Sequence, residues 1–168
     1  MYTRSPYLLG SFAIVVLLSI SIYLQFFDGF NPCPLCSLQR ISFALLGVFF
    51  FIGIFLYKQR ISRILINLFL LASSLIGALL AGRQIWLQHF PPLDNTECGV
   101  SLQYMMQVLP MNEVAKKILA GSAECTQNGW TFLWFNMAEW SLLWFLIFLA
   151  GSVYLLFKNN VRDKKYLK

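Results

Sequence analysis

Residues 7–27, 41–57, 64–81 and 140–157 form four runs without a charged side chain. Each comes close to the roughly 20 helical residues that cross a hydrocarbon layer about 30 Å thick. Lipid offers no water to backbone N–H and C=O groups, so runs buried in a bilayer must close those hydrogen bonds within helices. The chain is therefore expected to be an all-α membrane protein, a four-helix transmembrane bundle. Composition agrees, since 58% of the residues are hydrophobic and 12% charged, about half the charged share of a soluble domain. The first run is longer than the roughly 7 to 15 apolar residues of a secretory signal, and no small-residue cleavage pattern follows it, so it is read as a span. With no internal repeat or low-complexity tract, one membrane domain over residues 1–168 is expected, with outer loops at about 28–40 and 82–139.

Lysine and arginine set the orientation, because cytoplasmic segments carry an excess of both. Four spans put the two termini on the same side as the loop at 58–63. That side holds Arg4, Lys58, Arg60, Arg63, Lys158, Arg162, Lys164, Lys165 and Lys168, against Arg40, Arg83, Lys116 and Lys117 on the other. Both termini are expected in the cytoplasm, and the net charge of +6 is a topology signal rather than a sign of nucleic-acid binding. No acid or base lies inside a span, which argues against an ion pump or a proton-coupled transporter.

All four cysteines, Cys33, Cys36, Cys98 and Cys125, then face outward. In a bacterial inner membrane that side is the periplasm, where disulfides persist. A bond between Cys98 and Cys125 would close a long loop and stabilise it by about 3 to 4 kcal/mol, so a structural staple accounts for that pair as well as catalysis does. Cys33 and Cys36 close almost no chain, and such spacing points to metal or redox chemistry. Pro32 and Pro34 keep the preceding segment extended, which predicts a helix starting near Cys36 or Ser37. A thiolate there is stabilised by unpaired N–H groups and the positive end of the helix dipole. Arg40, four residues after Cys36, adds a cation on the same face. Cys36 is the better candidate for the thiolate, and Cys33, further out in the loop, for receiving an incoming thiol. A four-thiolate zinc or iron–sulfur site is the competing reading, weakened by the wide second spacing and by the neighbouring arginine.

Two electrons leaving such a pair need an acceptor. No dinucleotide fingerprint exists, and His89 is the only histidine, which excludes bis-histidine haem. A lipid-soluble acceptor remains, and a quinone fits. Arg40 is placed to hydrogen-bond a quinone carbonyl and stabilise the charge that develops on reduction, although an arginine snorkelling to headgroups uses the same position. His89, in "GRQIWLQHFPP", is a candidate to donate to a carbonyl or relay a proton, with packing among aromatics as the alternative. Arg83 and Gln84 in that segment carry less of the argument. Met111, Val114, Ala115 and Ile118 recur on one helical face, with Lys116 and Lys117 turned away. This predicts a short amphipathic helix in the long outer loop, lying in the membrane interface or docked on another protein. Ser73, Gly77 and Ala81, spaced by four, are assigned to close helix packing.

"CPLCSLQR" opening span two, "GRQIWLQHFPP" leaving span three, "CGVSLQYM" and "GSAEC" bounding the long loop, and "WTFLWFNMAEWSLLWF" entering span four together resemble the DsbB family of disulfide bond formation proteins. The resemblance covers most of the chain. It implies that Cys98 and Cys125 oxidise the periplasmic dithiol oxidase DsbA, with Cys98 forming the mixed disulfide. It also implies that Cys33 and Cys36 re-oxidise that second pair and pass electrons to ubiquinone or menaquinone, with Cys36 and Arg40 beside the quinone. DsbA sits at about −120 mV, so its re-oxidation needs an acceptor well above the glutathione pool at about −200 mV or lower. The second pair must also travel between DsbA and the first, which implies a moving loop. Two positions depart from the family pattern: Trp134 stands where a glycine is frequent after "FL", and Ala138 where a proline is frequent. The reading from another class is a non-catalytic membrane scaffold whose outer loop is disulfide-stapled.

Overall fold

A bilayer-length apolar run has only one way to satisfy its backbone, and the computed structural model, which describes residues 4–28, 33–90, 102–120 and 131–166, has all four runs helical. They are α1 (Ser5–Asp28), α2 (Pro34–Leu56), α3 (Arg60–His89) and, after two short helices and a hairpin among the described residues, α6 (Met137–Tyr166). All four are long and apolar enough to cross a membrane. Helices α2 and α3 turn back on one another through residues 57–59, where Gln59 N–H donates to the Leu56 carbonyl at 3.2 Å. The Gln59 side chain then accepts from Ser62 Oγ at 2.9 Å.

Neighbouring helices pair in the order α1 on α2, α2 on α3 and α3 on α6. Phenylalanines fill the space between α2 and α6. Phe43 stacks on Phe145 with ring centroids 4.0 Å apart, and Phe50 lies 5.8 Å from Phe148. Lipid tails are as apolar as leucine, so packing shape rather than water exclusion must hold such helices together. The small-residue stripe of α3 supplies that shape. Ser73 and Ala81 are buried, and a Cβ on Gly77 would stand 2.1 Å from the Phe145 ring. Gly53 of α2 receives the Tyr7 ring in the same way, and Tyr7 then donates its hydroxyl to Asn67 Oδ1 at 3.1 Å, tying α1 to α3. Large apolar side chains such as Phe12, Phe26, Phe55, Leu79 and Phe157 point outward, as a surface facing lipid requires.

The helices extend beyond the uncharged runs. Helix α3 continues through Arg83, Gln84 and Gln88 to His89, because nothing in that segment breaks a helix until Pro91 and Pro92. Helix α6 begins early because Asn136 and Glu139 cap it reciprocally. The Asn136 N–H donates to Glu139 Oε2 at 2.8 Å, and the Glu139 N–H to Asn136 Oδ1 at 2.9 Å.

Between α3 and α6 lie α4 (Leu102–Val108), α5 (Met111–Ala120), and an antiparallel hairpin of β1 (Thr131–Phe132) and β2 (Phe135–Asn136). Helix α5 is the amphipathic helix expected in the outer loop, with Val114 buried and Lys116 exposed. Met111, expected on its apolar face, is 74% exposed. The hairpin has no counterpart in the sequence expectations. Its turn residues Leu133 and Trp134 sit at φ 51° and 71°, a conformation usually occupied by Asn-Gly.

Candidate functional site

Cys33 and Cys36 lie at the start of α2, at the opposite end of the bundle from Arg4 and Tyr57, whose guanidinium and ring meet at 5.0 Å. The helix begins earlier than the prolines suggested. Pro34 occupies its first turn and Cys33 is the N-cap, extended at φ −61° and ψ 159°. Proline restricts the residue before it, but its own fixed φ suits the first helical position. The Cys33 sulfur therefore takes the place of a capping oxygen and accepts from the Cys36 N–H at 3.3 Å.

The two sulfurs are 3.0 Å apart, with the Cys33 thiol directed at Cys36 Sγ. That is beyond the roughly 2.05 Å of a disulfide, yet close enough for one to form with a small rotation. Cys36 Sγ also receives the Gln84 amide, with Nε2 at 3.1 Å, while Gln84 Oε1 lies at 3.5 Å. Beneath, Gln39 Nε2 donates to Gln84 Oε1 at 2.7 Å. Both glutamines are 4% exposed. Four side chains from α2 and α3 thus form one polar cluster in apolar surroundings.

The two thiols differ in exposure. Cys33 is 4% exposed, and Cys36 is only half-buried. Leu35, Leu87 and Val114 bury Cys33, with Leu109 packed against them. As the N-cap, Cys33 belongs to a buried cluster that includes Val114 of α5, whereas Cys36 lies one turn along on α2. Nothing in the local spacing of residues 33–36 announced that a helix some eighty residues away would cover the first thiol.

Arg40 donates to Gln25 Oε1 and, at 3.2 Å, to the Ser21 carbonyl, joining α2 to α1. His89 ends α3, exposed, with Nδ1 3.0 Å from the Ile85 carbonyl. A carbonyl only accepts, so the contact puts the proton on Nδ1 and leaves Nε2 facing outward. The cluster thus gathers Cys33, Cys36, Gln39 and Gln84, with Arg40 beside it and His89 outside its hydrogen bonds. Cys98 and Cys125 lie outside the described residues. Sequence reasoning gave Gln84 little weight and Gln39 none, because an amide on a helix has no signature. The available signal was their polarity at the ends of two otherwise apolar spans, where an amide must find a partner.

Residues 3–155 match the family model described as "Disulfide bond formation protein DsbB". The chain belongs to the DsbB family. A DsbB-family relative from Azoarcus sp. (strain BH72), "Disulfide bond formation protein B", is 38% identical over 95% of this chain and 96% of its own length. "Disulfide bond formation protein B 1" of Pseudomonas aeruginosa is 40% identical over 89% and 92%, and a Psychrobacter cryohalolentis relative is 40% identical over 81% and 78%. DsbB membership implies disulfide bond formation, and with four membrane-length helices this is a multi-pass membrane protein. The two departures from the DsbB pattern now have structural surroundings. Trp134 occupies the left-handed region that glycine enters without cost, and it is fully exposed. Ala138 is buried in the first turn of α6, where proline and alanine are both helix-compatible.

Proposed function

We propose that this chain is a thiol:quinone oxidoreductase, which re-oxidises a DsbA-like thiol oxidase on the periplasmic side of a bacterial inner membrane and delivers the electrons to a membrane quinone. One observation carries this reading: two sulfurs 3.0 Å apart at one end of an apolar bundle, one of them half-buried. The lysine and arginine distribution supports termini in the cytoplasm and the dithiol on the other side.

The sequence of exchanges balances as follows. A DsbA thiolate attacks the Cys98–Cys125 disulfide, forming a mixed disulfide through Cys98 and releasing Cys125 as a thiolate. The second DsbA thiol then displaces Cys98, leaving DsbA oxidised and this pair reduced. The reduced pair exchanges with the Cys33–Cys36 disulfide in the same two steps. When Cys33 and Cys36 close again, two electrons and two protons leave them, which is what one bound quinone takes up in becoming a quinol. The side chains present fit such a ring with two carbonyl acceptors. Arg40 would hold it with guanidinium donors one turn from Cys36, and His89 is assigned as a further hydrogen-bond or proton partner. Cys33 is buried in a cluster that includes Val114, and that cluster must open before an incoming thiolate can reach the sulfur.

The test mixes purified protein with a reduced DsbA-type dithiol and a soluble quinone. Quinone reduction that disappears in Cys33→Ala and in Cys36→Ala is expected. Unchanged quinone, with firmly oxidised cysteines that do not exchange, would instead support a stapled scaffold.

A further inference from the structure

Gln39 and Gln84 come from different helices, are each 4% exposed, and meet directly below Cys36. A buried amide without partners is costly, and here each glutamine finds the other. Gln39 Nε2 donates to Gln84 Oε1 at 2.7 Å. With Gln39 Nε2 turned to Gln84, the oxygen of Gln84 faces Gln39 and its Nε2 faces Cys36 Sγ at 3.1 Å.

The contacts around Cys36 favour the anion. The Cys33 thiol at 3.0 Å and the Gln84 amide both donate toward that sulfur. The contact that would need a Cys36 thiol as donor, to Gln84 Oε1, is longer, at 3.5 Å. Hydrogen bonds to a charged group are stronger than those between neutral ones. A neutral donor also stabilises the anion without adding a second cation at membrane depth, where charge is expensive. Arg40, the nearby cation, has part of its donor set engaged by Gln25 and Ser21 of α1.

We infer that Gln84 is a positioning residue for the redox pair, its amide holding the Cys36 thiolate, and that Gln39 acts through Gln84 by fixing which end of that amide faces the sulfur. This rests on the reading of Cys36 as the electron-donating thiolate. It adds that the thiolate population is set by a two-glutamine relay between α2 and α3.

The test uses the full chain in a Cys98→Ser/Cys125→Ser background, reduced, with no quinone added, so that its outcome is separate from that of the quinone assay. Gln84→Met and Gln39→Met keep side-chain length and remove the amide. The readouts are the ultraviolet thiolate absorbance at neutral pH and the rate of Cys36 alkylation by iodoacetamide. Gln84→Met is expected to lower the alkylation rate about tenfold, and Gln39→Met to lower it about threefold although it never touches the sulfur. In the double variant the second change should add nothing, because Gln39 works only through Gln84. Gln84→Asn and Gln39→Asn serve the same comparison if a methionine variant does not fold. Unchanged thiolate absorbance in the Gln84 variants, or independent and additive effects of the two sites, overturns the inference whether or not the protein reduces quinone.

Discussion

Cys33 and Cys36 share one helical turn but not one environment, and the difference gives each a distinct expected reactivity. Cys33 lies under Leu87 and Val114 at 4% exposure, while Cys36 is half-buried between Gln84 and the flank of α2. In the reduced protein Cys36 is therefore expected to alkylate first, and mass spectrometry of partially labelled protein checks the order. Arg40 is tied to α1 by two hydrogen bonds, so its replacement has two separable consequences. Arg40→Leu is expected to cut quinone reduction about a hundredfold, the scale of removing a donor aimed at developing charge, with thiol exchange between the two cysteine pairs much less affected. Gln25→Leu loosens the same clasp but keeps the guanidinium, and it should cost far less. Equal loss of both activities in Arg40→Leu would reduce Arg40 to a helix tie. At this scale the sequence showed the cysteine pair and Arg40, since spacing and helix position are local. It gave Gln84 little weight and Gln39 none, because their contact exists only once α2 and α3 are side by side.

Among the elements, α5 and the β1–β2 hairpin are where tertiary contact overrides local pattern. The periodicity of Met111, Val114, Ala115 and Ile118 showed that a helix would form, but not that Val114 would seal a cysteine. Val114→Ala removes about 1 kcal/mol of packing, enough to raise an open population about fivefold. Cys33 labelling should accelerate by that factor while Cys36 labelling stays the same. The hairpin was illegible because its strands are two residues each and its turn carries Leu133 and Trp134 in place of Asn-Gly. A tryptophan at φ 71° carries backbone strain on the order of 1 kcal/mol. Trp134→Gly is therefore expected to raise the thermal unfolding midpoint in detergent by a few degrees, and no change would mean that the turn relaxes without cost. The helices outrun the uncharged runs for a simpler reason. A charged side chain does not end a helix, so α3 runs on to His89, just before a proline pair, and α6 begins at the Asn136–Glu139 cap.

For the whole molecule, the four-helix architecture was legible because lipid leaves an apolar chain so few options. The packing was legible only in part. Ser73, Gly77 and Ala81 marked a face of α3, and the structure adds that Phe145 of α6 occupies the notch at Gly77. Gly77→Ala should destabilise the bundle by about 1 to 3 kcal/mol through overpacking, measured by denaturant unfolding in detergent. Wild-type stability in that variant would mean that α6 is free to slide. The bundle's two ends are chemically unlike, with Arg4 and Arg63 gathered around Tyr57 at one and the dithiol with its glutamines at the other. That polarity matters only if electrons leave the molecule from the dithiol end into the bilayer.

A single-turnover experiment addresses that claim most directly. Fully reduced Cys98→Ser/Cys125→Ser protein, in lipid and without oxygen, is mixed with an equal amount of quinone. Quinol and the Cys33–Cys36 disulfide are then counted together. The account predicts one quinol and one disulfide per chain, and neither when Cys36 is also replaced by serine. A folded, reduced pair that leaves the quinone untouched, or equal quinone reduction without Cys36, would contradict it.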